Sequence, residues 1–186
     1  MKFGTHINQE QAEMGDQCLY DEKVGSSRQY LLLREQWIDA PLEEVFEFFS
    51  QARNLDRITP PWLNFKILQA PDVIHEGALI YYRLAWHGIP MRWTTRIEEW
   101  RPPYRFVDLQ LRGPYRLWHH THSFESKDGG TLMRDSLRYA IPLGVLGHFA
   151  AGWRVSPDVE RIFDYRREQI RSMFADHTDR GHQRPA

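Results

Sequence analysis

The 186-residue sequence predicts an α+β fold: a curved, seven-stranded antiparallel sheet wrapped around one long C-terminal helix, with two short helices after the first strand. Three observations predict it. Between Leu63 and Pro142, strand-like runs follow one another across breaks too short for parallel crossovers, so neighbouring strands are antiparallel. One strand and two helical pieces precede this meander, and an amphipathic helix follows it. A single antiparallel sheet cannot bury its inner face unaided, so the helix must occupy the curl.

Residues 1–27 are polar and without sustained period, which predicts a mobile N-terminal arm. Arg28–Ile38 (RQYLLLREQWI) reads as the first strand. In APLEEVFEFFS, Pro41 suits the first helical position and Glu43 and Glu44 suit the positive end of the helix dipole. Leu42, Val45, Phe46 and Phe49 then make one apolar face. ARNLDRITPPW continues as a second helical piece, halted by Pro60–Pro61.

The strands of the meander are LNFKILQA, GALIYYRLAWH, MRWTTRIEEW, YRFVDLQLR, YRLWHHTHSFE and TLMRDSLRYAI. HGIP, RPP, GP and KDGG separate the later ones, and Asp128-Gly129 is the clearest two-residue hairpin signal. The closing helix is expected to start at an N-cap Ser156 with Pro157 in its first turn, and to end near Asp176. Val159, Ile162, Phe163, Ile170, Met173 and Phe174 form its apolar stripe. Arg166 interrupts that stripe and points to an acidic partner such as Glu99; the helix's other arginines read as a solvated face. The Gly-rich segment LGVLGHFAAGWRV before the helix suits a hinge or lid. Domain limits are thus expected at 28–176, with 177–186 a disordered tail.

Composition narrows the function classes. Net charge is −1 with no basic block, which gives no footprint for nucleic acid. Aromatic residues are 13% of the chain, an ample supply for lining an apolar pocket. A single cysteine, Cys18, precludes an internal disulfide and agrees with a reducing compartment. The N-terminal stretch lacks an apolar core of signal-peptide length, and no run reaches the about 18 apolar residues of a membrane span. The expected location is cytoplasmic.

Three stretches carry a family resemblance: APLEEVFEFFSQARNLDRITPPWLNF at 40–65, GIPMRWTTRIEEWRPPYRFVDLQLRGPYRLWHHTHSFE at 88–125, and VERIFDYRREQI at 159–170. Through these the chain resembles the START-like (SRPBCC) superfamily, in particular its bacterial polyketide cyclase/dehydrase-like branch. The resemblance implies the helix-grip fold and a cavity for a lipid, polyketide or other hydrophobic molecule. It also implies that a minority of members are enzymes, and it brings no metal or cofactor. None is expected here.

The candidate site follows from strand alternation. Trp118, His120, His122 and Phe124 share one face of their strand, and the two aromatics mark that face as the inner one. Across the hairpin, Met133, Asp135, Leu137 and Tyr139 share the matching face. In the strand before, Phe106, Asp108 and Gln110 alternate with Val107, Leu109 and Leu111; both sets contain apolar residues, so its orientation stays open. Tyr82, Trp93, Trp118, Met133, Tyr139, Phe149 and Phe163 are the expected apolar wall, with His120, His122 and Asp135 as polar anchor.

The His-His-Asp group admits three readings. It can be a hydrogen-bonded polar layer, a ligand-orienting patch, or a catalytic or metal site. His120 and His122 lie two apart on a strand, about 6.5–7 Å between Cα atoms, so both rings can reach one ion. As a catalytic pair, a histidine beside Asp135 would serve as the base of a cyclase or dehydratase. No nucleophile elbow, phosphate loop or cofactor fingerprint accompanies it. The leading expectation is a binding protein for a small hydrophobic molecule. An enzyme and a regulatory module with a filled core are the alternatives.

Overall fold

The computed structural model describes residues 17–18, 22–24, 27–142 and 153–181. Its strands are β1 (Gln17–Cys18), β2 (Glu22–Val24), β3 (Ser27–Ile38), β4 (Lys66–Gln69), β5 (Leu79–Trp86), β6 (Ile89–Arg101), β7 (Arg105–Arg112), β8 (Leu117–Lys127) and β9 (Gly130–Ala140). Helix α1 spans Leu42–Ser50, and α2 spans Trp153–Gly181. All strand pairings are antiparallel, in the order β1-β3-β9-β8-β7-β6-β5-β4, with β2 also on β3. The first long strand therefore lies beside the last, and seven strands from β4 round to β3 make the curved sheet that grips α2. Short β1 and β2, within the segment expected as a mobile arm, extend this edge.

Local chemistry explains the turns. His87-Gly88 and Asp128-Gly129 are two-residue hairpins with positive φ at both positions (49° and 84°; 52° and 81°), the geometry that matches strand twist. The Asp-Gly hairpin stands where the sequence puts it. Asn64, at φ 44°, ends a 3-10 turn (Pro61–Leu63), so β4 begins at Lys66 rather than at Leu63. The second helical piece is two 3-10 turns, Ala52–Asp56 and Pro61–Leu63, with Pro61 at a helix start, where its missing N–H costs nothing.

Helix α2 differs from expectation at both ends. It starts at Trp153, so Ser156 is not its N-cap; the Ser156 hydroxyl instead lies 3.0 Å from the Tyr139 hydroxyl on β9. Pro157 sits inside the helix and gives up one main-chain bond. At the other end no helix breaker occurs before Gly181, and the helix continues to it.

Two apolar clusters hold the layers together. One joins α1, through Val45, Phe46 and Phe49, to Ile97, Phe106, Phe124 and Met133 of the sheet and to Ile170 and Phe174 of α2. Burying each such side chain is worth about 1.5–3 kcal/mol. The other joins Leu32, Leu137 and Tyr139 to Val155, Val159 and Phe163. Helix α2 is tied to β3: Gln36 Nε2 donates to the Arg167 carbonyl at 3.1 Å, and Arg34 reaches Asp164 at 3.5 Å. The helix thus lies over the β3–β9 side of the sheet. That displacement leaves space above β5 to β8.

Candidate functional site

The space is a cavity of about 300 Å³. Ile80, Tyr82, Leu84 and Trp86 of β5, Trp93, Thr95 and Ile97 of β6, Phe106 and Asp108 of β7, and Trp118, His120 and His122 of β8 form its sheet wall. Phe48, Phe49, Leu55, Ile58 and Phe65 close one end, and Tyr115, Ile141 and Val155 the other, while Ile162 and Arg166 of α2 complete it. Alternation along β5 puts all four of its inward side chains on this wall, as strand pleating requires.

Of the residues expected there, Tyr82, Trp93, Trp118, His120 and His122 line the cavity. Met133, Asp135, Tyr139 and Phe163 do not, and this corrects the expected wall. They face inward, but no residue of β3 or β9 reaches the cavity, because α2 presses directly on those strands. Met133, Asp135 and Phe163 instead border a void of about 10 Å³ beside Arg34 and Ile170. Phe149 and the 143–152 part of the expected lid lie outside the described residues.

At the centre stand two imidazoles between two carboxylates. Strand register sets Asp108 opposite His120 and Asp135 opposite His122. The hydrogen bonds run on the diagonals: His120 Nε2 to Asp135 Oδ1 at 2.9 Å, and His122 Nε2 to Asp108 Oδ2 at 3.0 Å. The second nitrogens meet the carboxylates directly across: His120 Nδ1 is 3.4 Å from Asp108 Oδ2, and His122 Nδ1 is 2.8 Å from Asp135 Oδ1. The His122 Nδ1 contact is close but misaligned, so it is not a hydrogen bond. The rings pack 3.8 Å apart, and His122 stacks on Phe106 at 4.2 Å.

Burial disfavours charge on His120, Asp108 and Asp135, yet pairing wins. His120 is pulled down by burial but carried above its ordinary value by Asp108 and Asp135. Burial pushes Asp108 and Asp135 up, and the two histidines more than reverse it, holding both well below the usual carboxylate range. Asp108, His120 and Asp135 therefore carry charge inside an apolar wall, and the cavity-facing members of the group are Asp108, His120 and His122.

The same three residues bring one ligand atom each within 4.8 Å of one another, a His₂-carboxylate set of a kind zinc accepts. Those atoms here are engaged with each other. A second polar feature lies on β6: Trp93 Nε1 donates to Thr95 Oγ1 at 3.0 Å, and that hydroxyl lies 3.2 Å from Tyr82 Oη. Arg166 does not reach Glu99, which is taken by Arg101 and Arg105 at 2.8 and 3.1 Å; it faces the cavity.

A helix-grip protein with an internal ligand-sized cavity is thus the class that fold and site define. A family model described as polyketide cyclase / dehydrase and lipid transport matches residues 38–163, and the chain belongs to that family. No curated protein sequence matches. Among solved structures, protein Ms6760 from Mycobacterium smegmatis is 13% identical with a TM-score of 0.59, over 87% of this chain and 99% of that one. Protein CV1439 from Chromobacterium violaceum is 14% identical with a TM-score of 0.60, over 77% and 96%. Ginseng major latex-like protein 151 from Panax ginseng is 12% identical with a TM-score of 0.60, over 78% and 97%. At these identities the likeness is one of fold. No helix among the described residues is long and apolar enough to cross a membrane.

Proposed function

We propose that the protein binds a small hydrophobic molecule, of lipid, polyketide or aromatic type, in the cavity between the sheet and α2. The observation that carries this reading is the unfilled volume of about 300 Å³ behind a wall of aromatic and aliphatic side chains. Interiors normally pack without voids larger than a water molecule, so a space of this size beside a packed core supports a binding site there. Membership of a family described by lipid transport supports it. Native mass spectrometry of the purified protein, followed by denaturing extraction, tests the reading together with titration by the neutral probe N-phenyl-1-naphthylamine. A defined hydrophobic adduct, or saturable probe binding, is expected. Neither one appearing would defeat the reading.

A second reading has its own observation: Asp108, His120 and His122 open onto the same cavity as the apolar wall. Within that group the ionised Asp108 is placed to take a proton from carbon next to a carbonyl, and an imidazole N–H to give one to the departing oxygen, as a cyclase or dehydratase requires. Under this reading Asp135, behind the wall, orients the rings. A folded His122→Gln variant that turned over a polyketide substrate at the parent rate would remove His122 from that role.

A further inference from the structure

Arg166 is the one arginine or lysine in the described cavity wall. It stands on the inner stripe of α2, one helical turn from Ile162 and from Ile170. Its Nε is buried without a hydrogen-bond partner, and no ion pair to it exists among the described residues. The acidic groups of the interior are already engaged: Asp108 and Asp135 with the two histidines, Glu99 with two other arginines. What the guanidinium does have is the face of Phe163, 5.0 Å away, a modest substitute for an anion. Arg166 as a whole is half-buried, and an arginine cannot shed its proton where its Nε is withdrawn from water, as a lysine can. An anion in the cavity beside it would give that buried Nε a partner.

The hydroxyls nearby favour an acceptor as well. Trp93 already donates to Thr95 Oγ1, and whichever of Thr95 and Tyr82 donates within their pair, one O–H is left to give. Arg166 is close enough to act electrostatically on the Tyr82 hydroxyl. The polar groups of this part of the wall are therefore donors in search of an acceptor. A carboxylate fits better than a phosphate, because one planar guanidinium fork matches one carboxylate, and a doubly charged phosphate would need further cations.

We propose that Arg166 receives the carboxylate of an amphipathic ligand whose apolar body fills the aromatic cavity. This rests on the ligand-binding reading and narrows it to hydrophobic acids. Isothermal titration at pH 7.5 with two matched pairs tests it: decanoate against decanol, and 2-naphthoate against 2-naphthylmethanol. The acid of each pair is expected to bind about 10- to 100-fold more tightly than its alcohol, the range of a charge-assisted, bidentate contact. Arg166→Met should bring the acid down to the alcohol and leave the alcohol unchanged. Arg166→Lys, which keeps the charge and loses the fork, should show an intermediate preference; it also decides the matter if the methionine variant fails to fold by circular dichroism. Equal affinity of acid and alcohol, or a preference that survives Arg166→Met, overturns the proposal while leaving the cavity as a binding site. Absence of binding by all four compounds overturns both.

Discussion

His120 and Asp135 are bonded across a diagonal of the sheet: Nε2 lies 2.9 Å from Oδ1, although the residue directly opposite His120 on β9 is Leu137. The diagonal leaves Asp135 shared between two rings and completes the closed group with Asp108 and His122. Its charge state makes folding depend on pH with a definite sign. A histidine raised above its unfolded value of 6.5 contributes stability that is complete below 6.5 and lost as pH rises through the folded value. Carboxylates depressed below 3.8 contribute stability that is complete above 3.8 and lost as pH falls through their folded values. The cluster is therefore most stabilising between about pH 4 and 6.5. Thermal melts from pH 6 to 9 should show a decline in Tm that is shallower in His120→Gln. Parallel curves for parent and variant would place the pH dependence elsewhere.

Removing one member of the group leaves charge buried without compensation. Asp135→Ala is expected to cost about 3–5 kcal/mol in urea unfolding, the range for breaking a buried ion pair from one side. Joint replacement of the diagonal pair, His120→Leu with Asp135→Leu, should cost far less than the sum of its single changes, since His122 and Asp108 keep each other. Additive losses would show that the diagonal contact contributes nothing of its own.

Why this group was half legible in the sequence follows from the strands themselves. On β8 the aromatics Trp118 and Phe124 bracket the histidines at period two, so the inward face could be read directly. On β7 the period is masked, because neighbouring Phe106 and Val107 are both buried, on opposite faces. Alternation alone therefore does not orient Asp108, which faces both rings. Alternation says which way a side chain points and not what lies above it. Met133 and Tyr139 point inward as read, and it is the seating of α2 along β3 that fills the space over them. That seating depends on contacts distant in sequence, such as Gln36 to Arg167. The overall fold was more legible, since the Asp128-Gly129 hairpin and the short breaks leave an antiparallel meander little alternative.

Leu84 offers a way to separate folding from binding. It lies on the cavity wall in the middle of β5, half-buried and flanked by Tyr82 and Trp86 on the same face. A tryptophan there would extend into empty space instead of packed neighbours. Leu84→Trp is expected to leave Tm unchanged or higher, as cavity filling does, while weakening N-phenyl-1-naphthylamine binding by about tenfold or more. A variant that keeps parent affinity for the probe would show that the probe binds outside this cavity.

Asp158 holds one cavity-wall residue from outside the cavity lining. Its Oδ2 accepts from Trp86 Nε1 at 2.7 Å and lies 2.9 Å from His87 Nε2, so one carboxylate near the start of α2 fastens the β5–β6 hairpin to the helix. Trp86 is itself cavity wall, and the hydrogen bond fixes its ring. Asp158→Ala removes a hydrogen bond to a charged group, worth about 1.5–3 kcal/mol when well shielded and less here because His87 is exposed. The larger effect should be kinetic. With the hairpin released from the helix, probe dissociation measured by stopped-flow fluorescence should quicken several-fold, with association quickened as well and affinity changed less than either rate. An unchanged dissociation rate would mean that ligands leave by the end closed by Leu55, Ile58 and Phe65, where Asp158 has no hold.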